Sequence, residues 1–197
     1  MDSSELKTHM LHELQQAIEA AGLPAAAGIA SSLEDGLHFV RGFPVDDPGF
    51  YLPTVSIDDS QTLELVPCAP HIVDEQDVDA DHVDVTIETG RATLPAQVDL
   101  WTSSKTQRAE LLEPLRDLFQ PDLDVQSLAW QSAGLEVTLT GHEGAPCRWQ
   151  ITQEPQTDEQ YTGESMYRHT LELEGSAKRR KVYRLEKAEF TTNNTFG

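Results

Sequence analysis

The sequence is poor in cysteine and in long apolar runs, and each shortage excludes a class of protein. Its 197 residues include only two cysteines, Cys68 and Cys147. Their wide separation fits neither a CxxC metal site nor a disulfide framework, so we expect two free, buried thiols. No apolar run approaches the roughly 20 residues that cross a bilayer. The N-terminus also lacks a basic start followed by an apolar segment, so we expect no membrane span and no signal peptide.

Basic residues are also scarce. The 34 acidic residues outnumber the 14 basic ones, which gives a net charge of −20. Residues 178–197 nevertheless hold six basic and two acidic residues, so this segment carries +4 and residues 1–177 carry −24. An acidic body of this kind repels a phosphate backbone, which argues against sequence-specific DNA binding. A halophilic origin is an alternative source of the same acidity.

Recognisable catalytic motifs are missing as well. The sequence contains no P-loop, no GxGxxG, no GxSxG and no HExxH, and its seven histidines are scattered. Pairs of carboxylates carry no weight in so acidic a chain. We therefore expect that the protein is not an enzyme and that it binds no cofactor.

One acidic stretch imitates a calcium-binding loop. Positions 1, 3, 5 and 12 of an EF-hand loop are matched by Asp77, Asp79, Asp81 and Glu88. However, His82 stands where the sharp turn of that loop needs glycine, and no helices flank the segment. The preferred interpretation is therefore an acidic, solvated loop over residues 67–82 with no metal. A calcium- or ligand-binding module is the alternative from another class.

Periodicity predicts two helices. The first covers residues 3–22, ends at Gly22, and has one apolar face formed by Leu6, Met10, Leu14 and Ile18. The second follows Ser104, which forms a capping box with Gln107. Its apolar stripe consists of Leu111, Leu112, Leu115, Leu118 and Phe119. Pro114 interrupts this second helix and should bend it.

The remaining segments read as strands joined by turns. Alternation over 83–100 predicts a hairpin that turns at 89–91, with Pro95 facing an edge or a bulge. Residues 62–66 are expected to pair with 54–57, and residues 135–140 with 147–154. Residues 167–190 are expected to form a basic C-terminal hairpin that turns at 175–180. This order predicts an α+β fold, a mostly antiparallel β-sheet with two main helices packed on one face. We expect one domain over residues 1–197.

The element order and one motif resemble the tail-terminator and tail-completion (neck) proteins of tailed bacteriophages. In that family a strand ending in an aliphatic–aromatic pair leads into a helix that begins with x-S-x-x-x-R/E. The residues that match this pattern are Asp99, Leu100, Trp101, Ser104 and Arg108. The likeness in element order covers about residues 3–190, whereas the acidic segment at 67–82 and Pro114 depart from the family.

This resemblance implies a homo-oligomeric ring, usually a hexamer, at the head-proximal end of the tail in the virion, assembled in the host cytoplasm. Such a ring would stop tail-tube growth and join the tail-tube protein to the head connector or adaptor protein. Genome DNA would pass through it without specific binding. The family brings no catalytic residues and no cofactor. A head-completion or neck adaptor of the same virion is the runner-up.

The basic segment near the C-terminus is a candidate contact between subunits, because its charge complements the acidic body of an identical neighbour. The subunit-interface candidates are Trp101, Arg108, Lys178, Arg179, Arg180, Lys181, Tyr183 and Arg184. The alternative interpretation is an exposed, charged strand with no partner.

Overall fold

Two long strands that pair along their whole length organise the fold. Strand β4 (His82–Thr102) has 21 residues and strand β10 (Tyr167–Glu186) has 20. The structure is a computed structural model of the chain. It describes residues 3–23, 37–43, 51–58, 60–120, 123–124, 129–130, 134–139, 145–155, 159–160 and 166–187.

The other elements are shorter. The helices are α1 (Ser3–Ala20) and α2 (Lys105–Asp117). The strands are β1 (His38–Arg41), β2 (Thr54–Asp58), β3 (Glu64–Asp77), β5 (Leu123–Asp124), β6 (Ala129–Trp130), β7 (Leu135–Thr138), β8 (Pro146–Gln153) and β9 (Glu159–Gln160). Among the described residues, neither helix is both long enough and apolar enough to cross a bilayer.

The main sheet has the strand order β1-β2-β4-β10-β8-β7, with β3 beside β4 and β9 beside β10. Strands β5 and β6 form a separate pair. In the described ranges the β1–β2 pair is parallel and every other pair is antiparallel. The predicted α+β fold with a mostly antiparallel sheet is therefore confirmed, as is the predicted pairing of β7 with β8.

Both helices contribute to a core that lies on one face of this sheet. On β4 this face consists of Ala92, Leu94, Ala96, Val98 and Leu100, all of them buried. The helices add Leu6, Met10, Leu14 and Ile18 from α1 and Leu111 and Leu115 from α2 to the same cluster. Burial of these side chains is the main source of stability for the fold, at about 0.8 kcal/mol for each methylene removed from water.

Helix α2 begins as its capping box predicts. The Ser104 hydroxyl accepts a hydrogen bond from the backbone N–H of Gln107 at 3.1 Å. In a standard capping box the Gln107 side chain would accept from the backbone N–H of Ser104. Here it accepts from the backbone N–H of the preceding residue, Ser103, at 3.0 Å. The helix continues through Pro114 to Asp117.

Hydrogen bonds among three charged or titratable residues attach the C-terminal end of α2 to the sheet. Glu154, at the end of β8, accepts hydrogen bonds from Arg116 of α2 and from His169 of β10, the latter at 2.6 Å. Burial lowers the pKa of His169, although the Glu154 carboxylate acts in the opposite direction. Burial alone would raise the pKa of Glu154, but the hydrogen bonds from Arg116 and His169 outweigh it and lower that pKa.

Two predicted hairpins, at 83–100 and at 167–190, are wrong. Each described segment is one continuous strand, and the two strands pair from Tyr167↔Thr102 to Glu186↔His82. The reason lies in two glycines that were interpreted as turns. A Cβ at Gly175 would come within 2.6 Å of the Trp149 ring, and one at Gly90 within 2.7 Å of the Val66 carbonyl oxygen. Both glycines therefore permit a close approach inside a strand.

The acidic loop expected over 67–82 is also wrong, since residues 64–77 form β3 and pair with β4 rather than with β2. This strand lies at the edge of the sheet. A proline at an edge can turn its missing donor outward, so Pro67 and Pro70 are compatible with a strand there. The acidic residues do not oppose the strand either, because all of β3 is exposed to solvent.

Pro95 and the cysteines can be compared with their predictions. The β2–β4 pairing ends at Gln97 and the β3–β4 pairing begins at Thr93, so Pro95 lies between them, as its missing donor requires. Both cysteines are free thiols. Only Cys147 is buried, and burial raises the pKa of its thiol to about 12. Cys68 is exposed, which corrects the expectation for that residue.

Candidate functional site

The distal halves of the two long strands, together with β3, form a three-stranded ribbon that we call the arm (residues 64–90 and 178–187). The pairing of β8 with β10 ends at Ala177, and that of β2 with β4 ends at Gln97. Beyond those points only β3, β4 and β10 continue side by side. At about 3.3 Å per residue, the nine residues 82–90 extend about 30 Å. The rest of the described chain is called the body.

Apolar side chains remain exposed along one side of the arm. Alternation along β10 places Tyr183 and Leu185 on the same side as the buried Ala177, which belongs to the core of the body. Yet Tyr183 is 43% and Leu185 is 48% exposed, and Ile72 of β3 is 55% exposed. We define the apolar arm face as Ile72, Val83, Val85, Ile87, Tyr183 and Leu185; within it Val85 is buried and its neighbours Val83 and Ile87 are half-buried. Such a patch is typical of a surface that binds another molecule.

The opposite side of the arm carries ion pairs between β4 and β10. The Arg184 guanidinium donates to both carboxylate oxygens of Asp84, at 2.8 and 3.0 Å. This contact lowers the pKa of Asp84 and raises that of Arg184. Nearer the body, Lys178 Nζ lies 3.2 Å from a carboxylate oxygen of Glu88. The acids of the middle strand are thus neutralised within the subunit.

The two long edges of the arm have opposite charge. Residues 178–187, along β10, include six basic residues and one acidic residue. Strand β3 includes four acidic residues and no Lys or Arg. The basic edge was predicted from the charge pattern, whereas the acidic edge was predicted to be a loop. The apolar pair Ile72–Val73 directly before the acids is a strand signal, which Pro67 and Pro70 obscured.

The four residues of the calcium alternative do not converge. Asp79 accepts hydrogen bonds from the backbone N–H groups of Asp81 and His82, both at 2.8 Å. The bond from Asp81 and a hydrogen bond from the His82 ring lower the pKa of Asp79. Asp77 lies at the end of β3, close to the start of β4 at His82. Glu88 lies six residues further along β4, which places it about 20 Å from His82. Nowhere in the described ranges do three or more His, Cys, Asp or Glu residues form a group that could hold a metal ion.

Trp101 is not an interface residue, because its side chain is 0% exposed within the subunit. Its indole N–H donates to the Ser56 hydroxyl at 2.9 Å. The Arg168 guanidinium lies 5.2 Å from the centre of its ring and 5.4 Å from that of Phe43. Arg168 also donates to Asp99 at 2.9 Å. The Asp99 and Trp101 of the phage-like motif therefore stabilise the end of β4.

The other interface candidates fall in two places. Arg108, in the first turn of α2, is half-buried and stacks near Tyr167, with 5.9 Å between its guanidinium and the ring centre. The rest lie together on the arm: Lys178, Arg179, Arg180, Lys181, Tyr183 and Arg184. The structure thus places six of the eight candidates on one strand of the arm, with their side chains alternating between its two sides.

A cleft of about 310 Å³ lies on the charged side where the arm joins the body. Three cations line it, but each one has a partner within the subunit. Arg148 donates to Glu136 at 2.6 Å, and Arg91 donates to the Ser176 hydroxyl at 2.8 Å. The third, Lys178, pairs with Glu88. Two of these three charges, those of Arg148 and Lys178, are therefore paired with carboxylates within the subunit, whereas Arg91 contacts a neutral hydroxyl group.

Comparisons with known proteins give a weak structural likeness. No protein-family model matches this chain, and no curated protein matches it either. Among solved structures, it is similar to a chain of the virion of a native gene transfer agent (GTA) particle, at 13% identity and a TM-score of 0.35. That similarity covers 86% of this chain and 97% of the other.

Proposed function

We propose that this chain is a structural virion protein of a tailed bacteriophage. It forms a ring, usually a hexamer in the family it resembles, at the head-proximal end of the tail. There it terminates tail-tube assembly and joins the tail to the head connector. The arm carries this proposal, because it leaves an apolar face and two charged edges available to other subunits.

Two further features support this function. The motif that resembles the tail-terminator family lies at the end of β4 and the start of α2, where Ser104 caps the helix and Asp99 and Trp101 hold the strand end. The net charge of −20 also suits a ring through which genome DNA passes, because carboxylates do not retain phosphates.

The proposal predicts a closed oligomer that caps tail tubes. Light scattering on the purified protein should give a single mass that is a multiple of 21.9 kDa, and electron microscopy should show rings. When the protein is added to growing tubes of the tail-tube protein from the same genome, tube lengthening should stop. A strict monomer at all concentrations that leaves tube growth unchanged would overturn the proposal. A ring that leaves tube growth unchanged would favour a neck adaptor instead.

A further inference from the structure

The outer edges of the arm have no neighbouring strand in the described part of the chain. Past Ala177, β10 is paired with β4 on one side only, and β3 is likewise paired only with β4. An edge of this kind presents a row of backbone N–H and C=O groups that can accept another strand. Isolated proteins usually protect such an edge, whereas subunits of an assembly can use it.

Charges on these two edges are left over after the internal ion pairs have formed. The cations Lys178 and Arg184 are neutralised by β4. Within the described ranges, no ion pair is made by Arg179, Arg180 and Lys181 on β10, or by Asp74 and Glu75 on β3. The Arg180 Nε is moreover buried and has no hydrogen-bond acceptor. The surplus is therefore cationic on one edge and anionic on the other.

We propose that neighbouring copies of this chain join arm to arm, with the outer edge of β10 in one copy adding to the outer edge of β3 in the next. This inference rests on the proposed ring and names the surfaces that close it. Both β3 and β10 run antiparallel to β4, so they are parallel to each other. Rotation about an axis along the arm keeps these directions, and the new pair is therefore a parallel one.

Charge selects this arrangement over the other edge pairings. Two β10 edges would bring cations together, and two β3 edges would bring carboxylates together, which is unfavourable in both cases. A β10 edge against a β3 edge pairs opposite charges. It is also a head-to-tail contact, which can close into a ring, whereas the like-with-like contacts give only a two-fold dimer.

The register of the arm identifies the residues that would meet. Val182 and Asp74 both lie opposite Thr86 of β4, so they stand at the same height on the two edges. When a second copy is placed at equal height, its Asp74 faces Val182 and lies diagonal to Arg180. Glu75 of the second copy then faces Tyr183 and lies diagonal to Lys181. This second pair of charges lies on the opposite face of the sheet from Asp74 and Arg180. Diagonal neighbours are about 7–8 Å apart, which long basic side chains span.

Complementary charge reversal tests this contact. The first variant combines Arg180→Glu with Lys181→Glu, so both of its edges are acidic. The second combines Asp74→Lys with Glu75→Lys, so both of its edges are basic. Each variant alone should be monomeric by light scattering, with the mass falling to about 21.9 kDa. An equimolar mixture should assemble again, because every junction between alternating copies then joins opposite charges.

The matched control reverses two acids on an exposed face of the body, Glu110→Lys with Glu113→Lys. It changes the net charge as much as the second variant does and should assemble like the wild type. If the single variants assemble normally, or if the mixture stays monomeric while the wild type assembles, the edge contact is overturned and the ring proposal survives. A wild type that never assembles overturns both.

Disulfide trapping provides a second measurement that does not depend on charge. Val182→Cys and Asp74→Cys are combined in a Cys68→Ser background. Within one copy these positions are two strands apart, about 9.6 Å, beyond the roughly 7 Å between Cα atoms that a disulfide allows. Oxidation should therefore give covalent oligomers on a non-reducing gel and none with Val182→Cys alone. A product that stays monomeric while the wild type is oligomeric contradicts the proposed register.

Discussion

The body and the arm share the same two long strands, yet most of the large apolar side chains of the arm are exposed or half-buried, whereas those that face the core in the body are buried. In the body, Leu100 of β4 and Leu171 of β10 are 0% exposed, whereas Leu185 in the arm is 48% exposed. The alternation of side chains is similar in both halves. The difference is that α1 and α2 contribute to the core of the body alone. The comparison indicates that the buried core belongs to the body, whereas the arm leaves apolar side chains exposed, as the proposed contact with other subunits requires.

The largest expected effect is the difference in stability loss between the same leucine-to-alanine substitution in the body and in the arm. Leu100→Ala should lower the free energy of unfolding by about 2–5 kcal/mol, because it opens a cavity in the core. Leu185→Ala, its matched control in the arm, should change it by no more than about 0.5 kcal/mol. Urea unfolding of the monomer measures both. Similar losses at the two sites would show that the arm is part of the folding core.

A smaller effect is expected at Gly175, where the body packs most closely. The added methyl group of Gly175→Ala would meet the Trp149 ring, whose nearest atom lies 2.6 Å from the position of the new Cβ. Overpacking of this kind costs about 1–3 kcal/mol. Thermal unfolding should show the loss, and Ser176→Ala next to it serves as the control. An unchanged midpoint would mean that Trp149 moves aside freely.

Loss of the cap on α2 should cost about 1 kcal/mol, the usual effect of replacing a serine N-cap by alanine. Ser104→Ala removes the oxygen that accepts from the Gln107 backbone, whereas Ser104→Asp retains an acceptor there. Helix α2 covers the body only, so assembly through the arm should not change. Denaturant unfolding and light scattering on both variants check the two parts. An alanine variant that is as stable as the wild type would contradict the capping role.

The smallest effect concerns pH and is also confined to the body. Burial lowers the pKa of His169 in the folded state, so the unfolded chain binds more protons just below the ordinary histidine pKa of 6.5. Stability should therefore fall as the pH drops below about 6.5. His169→Gln, which retains a donor for Glu154, should flatten that part of the stability curve. A second fall below about 4.5 should remain, because Glu154 has a lowered pKa as well. An unaltered curve between pH 5 and about 6.5 would contradict this origin.

The sequence predicted the body better than the arm, for physical reasons that individual residues illustrate. The helices and the Ser104 cap follow from local periodicity and hydrogen bonding, and both were found. Gly90 and Gly175 were misread, because what they accommodate is a neighbour distant in sequence, Val66 in one case and Trp149 in the other. No local pattern shows such a contact.

The candidate site was predicted in part for the same reason. The basic residues of β10 were identified from charge alone, and they do lie together on the arm. The acidic edge was missed because its strand is held by pairing with β4 and not by burial, so it lacks the alternation that marks a half-buried strand. Trp101 was assigned to a surface because nothing in the sequence shows that the subunit itself buries it.

Hydrogen exchange at two protein concentrations tests the central claim most directly, because strand addition would protect backbone N–H groups that are exposed in the free subunit. The account predicts that amides of residues 178–186 and 74–77 exchange more slowly in the concentrated, assembled protein than in dilute monomer. Amides in the body, such as that of Leu171, should exchange at the same rate in both. Equal rates along the arm in the two samples would contradict the claim that the arm joins the subunits.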